Sequence, residues 1–271
     1  MPILLALLLH ACTEPPPSEG TFLSLSYNVA GLPEGISGSH PERNTPIISP
    51  LLNGYDLVLV QEDFVYHEAL AAGATHPYRS EPMTDPERFF SDGLNRFSVF
   101  PLGPLTRVRW DACHGTVENA SDCLADKGFS VSEVTLAEDL SLLVYNHHAE
   151  AGGSEEDVAA RADNFTQLGT HIVENAGDRA VLVTGDTNLH GFDVDDEPIL
   201  SELFTTTDLA DACRTIGCGD DRIDRFLFRS GSDLVLTPTE WAVAGEFVDE
   251  ADRPLSDHVP IRARFSWARP E

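Results

Sequence analysis

Eight short runs of apolar or alternating residues recur along this chain, and they constrain its fold more than any other feature. They cover Phe22 to Tyr27, Asp56 to Gln61, Val131 to Leu136, Leu140 to Tyr145, Ala180 to Thr184, Ile223 to Phe228, Leu234 to Trp241 and Val259 to Phe265. Runs this short mark strands, and polar residues on alternate positions mark sheets with one covered face. Helical periodicity is rarer. The clearest stretch starts at Ser154, where Ser-Glu-Glu-Asp resembles a capping box. It sets Val158, Ala162, Phe165, Leu168 and Ile172 at helical spacing before Asn175-Ala176-Gly177 ends it. A second helix is expected over Glu197 to Phe204. No linker or repeat interrupts the chain after Gly20, so residues 21–271 read as one α/β domain, two sheets face to face with helices outside.

Charge narrows the partners. The 45 acidic residues outnumber 17 basic ones, a formal net charge of −28. Such a surface repels nucleic acid and anionic membranes at long range, because phosphate binding rests largely on Lys and Arg. The first twenty residues point to export. Ile3 to Leu9 is an apolar run too short to span a bilayer, and His10-Ala11-Cys12 follows it. This resembles a lipoprotein signal in which Cys12 is the lipidated residue, with Thr13 to Gly20 as a Pro-rich tether. The expected location is secreted, or lipid-anchored at a bacterial cell envelope. The four other cysteines fall in two sequence-local pairs, Cys113 with Cys123 and Cys213 with Cys218, which fits two disulfides in an oxidising compartment.

Acidic, amide and imidazole residues gather at strand ends. Asn28 follows the first run and Glu62 the second; His148 follows Tyr145; Asp186 and Asn188 follow Val181-Leu182-Val183; Asp257 and His258 precede the last run. Strand ends on one edge of a sandwich converge on one surface, so residues dispersed in sequence can form one site. Singly, each has a blander reading as a turn former or a solvated side chain. Together they match a family. Leu25 to Leu32, Asp56 to Glu62, Tyr145 to His148, Thr184 to Asn188, Arg222 to Leu227 and Leu255 to Pro260 resemble, in order, the motifs of the endonuclease/exonuclease/phosphatase superfamily. That superfamily includes DNase I-like nucleases, abasic-site endonucleases, inositol-polyphosphate phosphatases and bacterial sphingomyelinases.

The resemblance implies a four-layered α/β sandwich, DNase I-like, that hydrolyses a phosphodiester by in-line attack of water. It implies a divalent cation, Mg²⁺ or else Mn²⁺ or Ca²⁺, on Glu62 with Asn28 and Asp257 completing or flanking the site, since hard carboxylates suit Mg²⁺. Asp186 and Asn188 would position the water and the phosphate. His258 would act as general base or phosphate-orienting group, with Asp224 fixing its tautomer; either Asp186 or His258 takes the proton. His148, rather than His147, would donate a hydrogen bond to the transition state.

The segment Asp122 to Phe129, after Ser91-Asp92-Gly93-Leu94, resembles stretches of the sphingomyelinase-like branch, and Lys127 would contact phosphate there. A zwitterionic phospholipid headgroup is therefore the expected substrate of a monomeric enzyme. No membrane-inserting hairpin stands out; Phe89, Phe90, Phe97, Phe100 and Trp110 read as core rather than as acyl-chain contacts. The alternatives are a secreted DNase I-like nuclease and a catalytically inactive surface binding module. An inositol-phosphate phosphatase would need several Lys and Arg around the substrate phosphates, and the chain has only 17 basic residues.

Overall fold

The computed structural model describes residues 17–84, 90–115, 122–191, 193–219 and 222–270. Cys12, the apolar run before it, the first half of the Pro-rich segment and Phe89 lie outside these residues. In chain order the elements are β1 (Glu19–Asn28), α1 (Pro41–Leu51), β2 (Leu57–Gln61), α2 (His67–Ala72), β3 (Tyr78–Arg79), β4 (Asn95–Ser98), β5 (Thr106–Arg109) and β6 (Gly128–Ala137). There follow β7 (Leu140–His148), α3 (Glu155–Ala176), β8 (Val181–Asp186), α4 (Asp196–Thr207), β9 (Ala210–Asp211), α5 (Ala212–Ile216), β10 (Asp224–Arg229), β11 (Val235–Val243) and β12 (Ile261–Ala268). The first strand begins at Glu19, paired with Ala268, so Glu19 and Gly20 belong to the sheet rather than to a tether.

Among the described residues these strands form two six-stranded sheets, in the orders β11-β12-β1-β2-β4-β3 and β5-β6-β7-β8-β10-β9. Each is mixed: β1 runs parallel to β2, and β7 parallel to β8, while the other pairings are antiparallel. Alternation sends every second residue between the sheets. Phe22, Leu57, Leu59, Val144, Leu182, Phe226 and Phe265 pack there as one core. On the outer side of the second sheet, Val181, Val183 and Tyr145 pack against Phe165, Leu168 and Ile172 of α3 and Leu200 and Leu203 of α4. On the outer side of the first, Leu25, Tyr27, Val58 and Val60 meet Ile48 and Leu70 of α1 and α2. Helix, sheet, sheet, helix is the four-layered sandwich expected.

The capping box at the start of α3 is present: the Ser154 side chain accepts from Asp157 N, and Asp157 returns a bond to Ser154 N. The expected strands and both expected helices appear with ends shifted by a few residues. Cys113–Cys123 and Cys213–Cys218 are disulfides. Phe97 and Trp110 are buried, as expected of core residues.

Candidate active site

Register assembles the site. His148 pairs with Asp186 across the parallel β7–β8 ladder, and Asp224 pairs with Asp186 across the antiparallel β8–β10 ladder. Residues opposite one another share a face, and two positions back along each strand lie Asn146, Thr184 and Phe226, on the inter-sheet side. The three polar residues therefore close the open end of the inter-sheet layer. From the opposing sheet, Asn28 ends β1, and Glu62 follows β2 in a left-handed conformation, φ 56°. That conformation is unusual for a glutamate, and two glycines make room for it. A Cβ on Gly31 would stand 2.4 Å from Glu62 O, and one on Gly93 would stand 2.9 Å from Glu62 Cα.

Asp186 is the hub. Its Oδ2 lies 3.3 Å from Asn28 Nδ2, 3.4 Å from His148 Nε2 and 3.4 Å from His258 Nε2. Its Oδ1 accepts Asn188 N–H at 3.0 Å. Asn28 Nδ2 also donates to Glu62 Oε1 at 2.9 Å, so one buried amide bridges two carboxylates, while its oxygen accepts from Ala30 N. His258 Nδ1 is 3.0 Å from Asp224 Oδ2. The loop carrying His258 is tied down where Ser256 Oγ donates to Asn28 O at 2.7 Å and accepts His258 N–H at 3.2 Å.

The electrostatics follow from this crowding. Burial and the charge of Asp224 raise the Asp186 carboxyl to about 6, against the pull of His258, Lys127 and the Asn188 N–H. Burial raises Glu62, with Lys127 and Asn28 opposing and Asp257 and Asp186 adding to the rise. Burial also works against a charge on His258. The Asp224 hydrogen bond and the charges of Asp186, Asp224 and Asp257 prevail, and His258 rises to about 10. His148 is driven well below the imidazole value by burial and by Lys127, His258 and His147, so it is neutral.

The sequence-derived residues separate by position. Glu62, Asn28, Asp186, Asn188, His148, Asp224 and His258 are brought together. Asp257 is exposed at the rim, its Oδ1 3.3 Å from Ser256 Oγ and its N–H on Ser39 Oγ. His147 faces the other way, buried against Phe165 of α3 and held down to about 4 by burial. Lys127 is buried beside the site, its Nζ 3.4 Å from Ala149 O, and its charge acts on Glu62, Asp186 and His148. It is the only lysine in the chain, a signal in the sequence that composition totals had concealed. Sequence reasoning also missed the polar support beneath the site. Gln61 Nε2 donates to Asn146 Oδ1 at 2.7 Å, and Asn146 Nδ2 to Val60 O at 2.9 Å, joining the sheets one layer down.

A cluster whose potential ligand atoms lie within 4.8 Å of one another is Asp186, Asp224 and His258. This is not the trio expected from the sequence. His258 makes a poor ligand, because Asp224 occupies Nδ1 and the ring is held protonated.

Solved structures share this architecture. Sphingomyelinase C from Streptomyces griseocarneus superposes with a TM-score of 0.66 at 19% identity, over 90% of this chain and 99% of that one. Beta toxin from Staphylococcus aureus with bound magnesium ions gives 0.66 at 16%, over 90% and 99%. The chain has the four-layered, DNase I-like fold of these structures. The same fold is shared by D. rerio TDP2 complexed with single strand DNA product, at a TM-score of 0.63 and 18% identity, over 90% of this chain and 98% of that one. Sphingomyelinases of Mycobacterium tuberculosis and Mycobacterium bovis are 32% identical over 273 aligned positions, 92% of this chain and 53% of each relative. The chain thus spans about half the length of the curated relatives it matches. No family model matches it.

Proposed function

We propose that the chain is a divalent-cation-dependent phosphodiesterase that hydrolyses a zwitterionic phospholipid of the sphingomyelin type. The observation that carries this reading is the convergence of Asn28, His148 and His258 on one oxygen of Asp186, with Glu62 bridged to it. The donor set fits a hard cation. Glu62 and Asp186 are both raised by burial and by neighbouring carboxylates and are bridged by one amide, and Mg²⁺ prefers carboxylate oxygen. Glu62 would hold it, with Asn28 orienting the carboxylates and Asp257 flanking from the rim. When bound, the cation supplies charge neutralisation on the phosphate oxygens.

The chain's own residues account for the rest. Asp224 accepts a hydrogen bond from Nδ1–H of His258 and so turns Nε2 toward Asp186. With His258 protonated and donating toward it, Asp186 is the member of the pair that orients water and accepts its proton. Neutral His148 directs Nε2 into the site as a hydrogen-bond donor to a phosphate oxygen. Lys127 adds the positive charge, and Asn188 fixes Asp186 through its main-chain N–H.

The lipid preference rests on charge and on the rim. Arg107, Arg109, Arg161, Arg214, Arg225 and Arg264 are each engaged by a carboxylate of the chain, which leaves them poorly placed to track a nucleic-acid backbone. Ile36, Val65 and Val259 are exposed on loops that follow Asn28, Glu62 and His258, which suits a lipid surface. Two disulfides suit an oxidising compartment and support export. The test is a panel of sphingomyelin vesicles, phosphatidylcholine vesicles and plasmid DNA, each with Mg²⁺ and with EDTA. Lipid headgroup release that EDTA abolishes is expected. DNA cleavage without lipid cleavage would overturn the substrate, and no turnover at all would favour the binding module.

A further inference from the structure

Behind Glu62 lies a second polar network that the chemistry above does not use. Arg107 sits on β5, the edge strand of the second sheet, yet its guanidinium reaches the loop before β4 of the first sheet. Its Nη1 lies 2.6 Å from both carboxylate oxygens of Asp92 and donates to Leu94 O at 2.8 Å. Its Nη2 donates to Asn95 Oδ1 at 3.0 Å and to Glu81 O at 2.7 Å. The fork thus grips the residues on either side of Gly93 as well as Asn95. Both partners of the ion pair are shielded: 17% of the Arg107 side chain and 6% of Asp92 are exposed.

What the fork grips bears directly on Glu62. Gly93, at φ 64°, takes Asp63 N–H on its carbonyl at 3.0 Å. A Cβ there would stand 2.7 Å from Phe64 Cε1, 2.9 Å from Glu62 Cα and 3.0 Å from Glu62 N. Asn95, whose oxygen Arg107 holds, donates from Nδ2 to Asp63 Oδ2 at 2.8 Å, and His67 Nδ1 meets the same oxygen at 2.5 Å. The residue after Glu62 is therefore pinned by both its main chain and its side chain. On the opposite side Gly31 N–H donates to Glu62 O. A glutamate in a left-handed conformation persists only when its surroundings over-determine it, and here the Asp92–Asn95 segment is one wall.

We infer that Arg107 is a positioning residue for Glu62: by clamping the Asp92–Asn95 segment across the two sheets, it holds the Glu62 backbone where the carboxylate can receive a divalent cation. The inference rests on the reading of Glu62 as a cation ligand. A planar five-donor fork is required, since one ammonium cannot hold Asp92, Leu94 O, Asn95 and Glu81 O together.

The test is a direct Mn²⁺ titration followed by electron paramagnetic resonance, on the full chain, with melting recorded in EDTA. Four variants are compared with the unaltered protein: Glu62→Gln, Arg107→Gln, Arg107→Lys and Gly93→Ala. Removing outer support of a metal ligand weakens affinity about 10–100-fold. A loss in that range is expected for Arg107→Gln and Gly93→Ala, with Arg107→Lys recovering part of it. A purely structural clamp would lower melting and leave Mn²⁺ affinity in the folded fraction unchanged. Folded Arg107→Gln binding Mn²⁺ within about twofold of the unaltered chain would overturn the proposal. If Arg107→Gln does not fold, Gly93→Ala decides by the same criterion. Should Glu62→Gln bind Mn²⁺ as the unaltered chain does, the cation reading of Glu62 fails instead.

Discussion

The layer between the two sheets has two ends built from the same strands and opposite in chemistry. At one end β1, β2, β7, β8, β10 and β12 contribute Phe22, Leu57, Val144, Leu182, Phe228 and Phe265, which are buried and apolar. At the other end the same sheets, through β1, β7, β8 and β10 and the segments beyond β2 and before β12, contribute Asn28, His148, Asp186, Asp224, Glu62 and His258, mostly buried and polar. Between them Gln61 donates to Asn146, and the Arg96 guanidinium donates to Ser130, Ser132 and Val144 O. Burial stabilises the first end, because apolar area leaves water. It strains the second, because the carboxylates of Glu62, Asp186 and Asp224 are desolvated together with only Lys127 and His258 as positive charges beside them. Strands that are rigid at the apolar end hold the charges of the polar end in place, so stability and activity should respond to different residues.

Three substitutions or conditions sharpen that contrast. The largest effect belongs to the polar end: Asp186→Asn removes the acceptor on which three groups converge, and turnover should fall by at least about 10³-fold. Steady-state lipid hydrolysis reads this directly, and a loss below tenfold would take Asp186 out of the mechanism. Next comes the apolar end. Phe265→Ala should cost about 3–5 kcal/mol of unfolding free energy, measured by urea titration, with turnover per folded molecule nearly preserved.

The smallest effect concerns pH. His258 is raised from 6.5 to about 10 in the fold. The stability its charge contributes is therefore full below its unfolded value and fades as pH climbs through about 10. In EDTA the unaltered chain should lose stability between these limits, and His258→Gln should lose less over the same range. Parallel curves for the two would show that His258 is not held protonated.

Much of the apolar end was legible in the sequence, because apolar and polar residues alternate in β1 and short apolar runs mark β7 and β8. β4 was not. Its residues Asn95, Arg96, Phe97 and Ser98 are all buried, and a strand that buries arginine and serine carries no apolar alternation to read. Helix α1 was hidden by Pro46 and Pro50 within it. At the polar end the residue types and their order identified the site, whereas tertiary pairing decided the rest. Alternation along β7 separates His147 from His148, a distinction that needs the strand's facing. The exposure of Asp257, the burial of Lys127 and the cross-sheet reach of Arg107 depend on loops and sheet packing, to which local sequence is blind.

The proposal that the polar end is strained charge relieved by a divalent cation is tested most directly by urea unfolding of the unaltered chain and Asp186→Asn, each in EDTA and in Mg²⁺. Asp186→Asn should be the more stable of the two in EDTA, and Mg²⁺ should stabilise the unaltered chain far more than the variant. An Asp186→Asn chain that is less stable in EDTA, together with no stabilisation of the unaltered chain by Mg²⁺, would contradict the account.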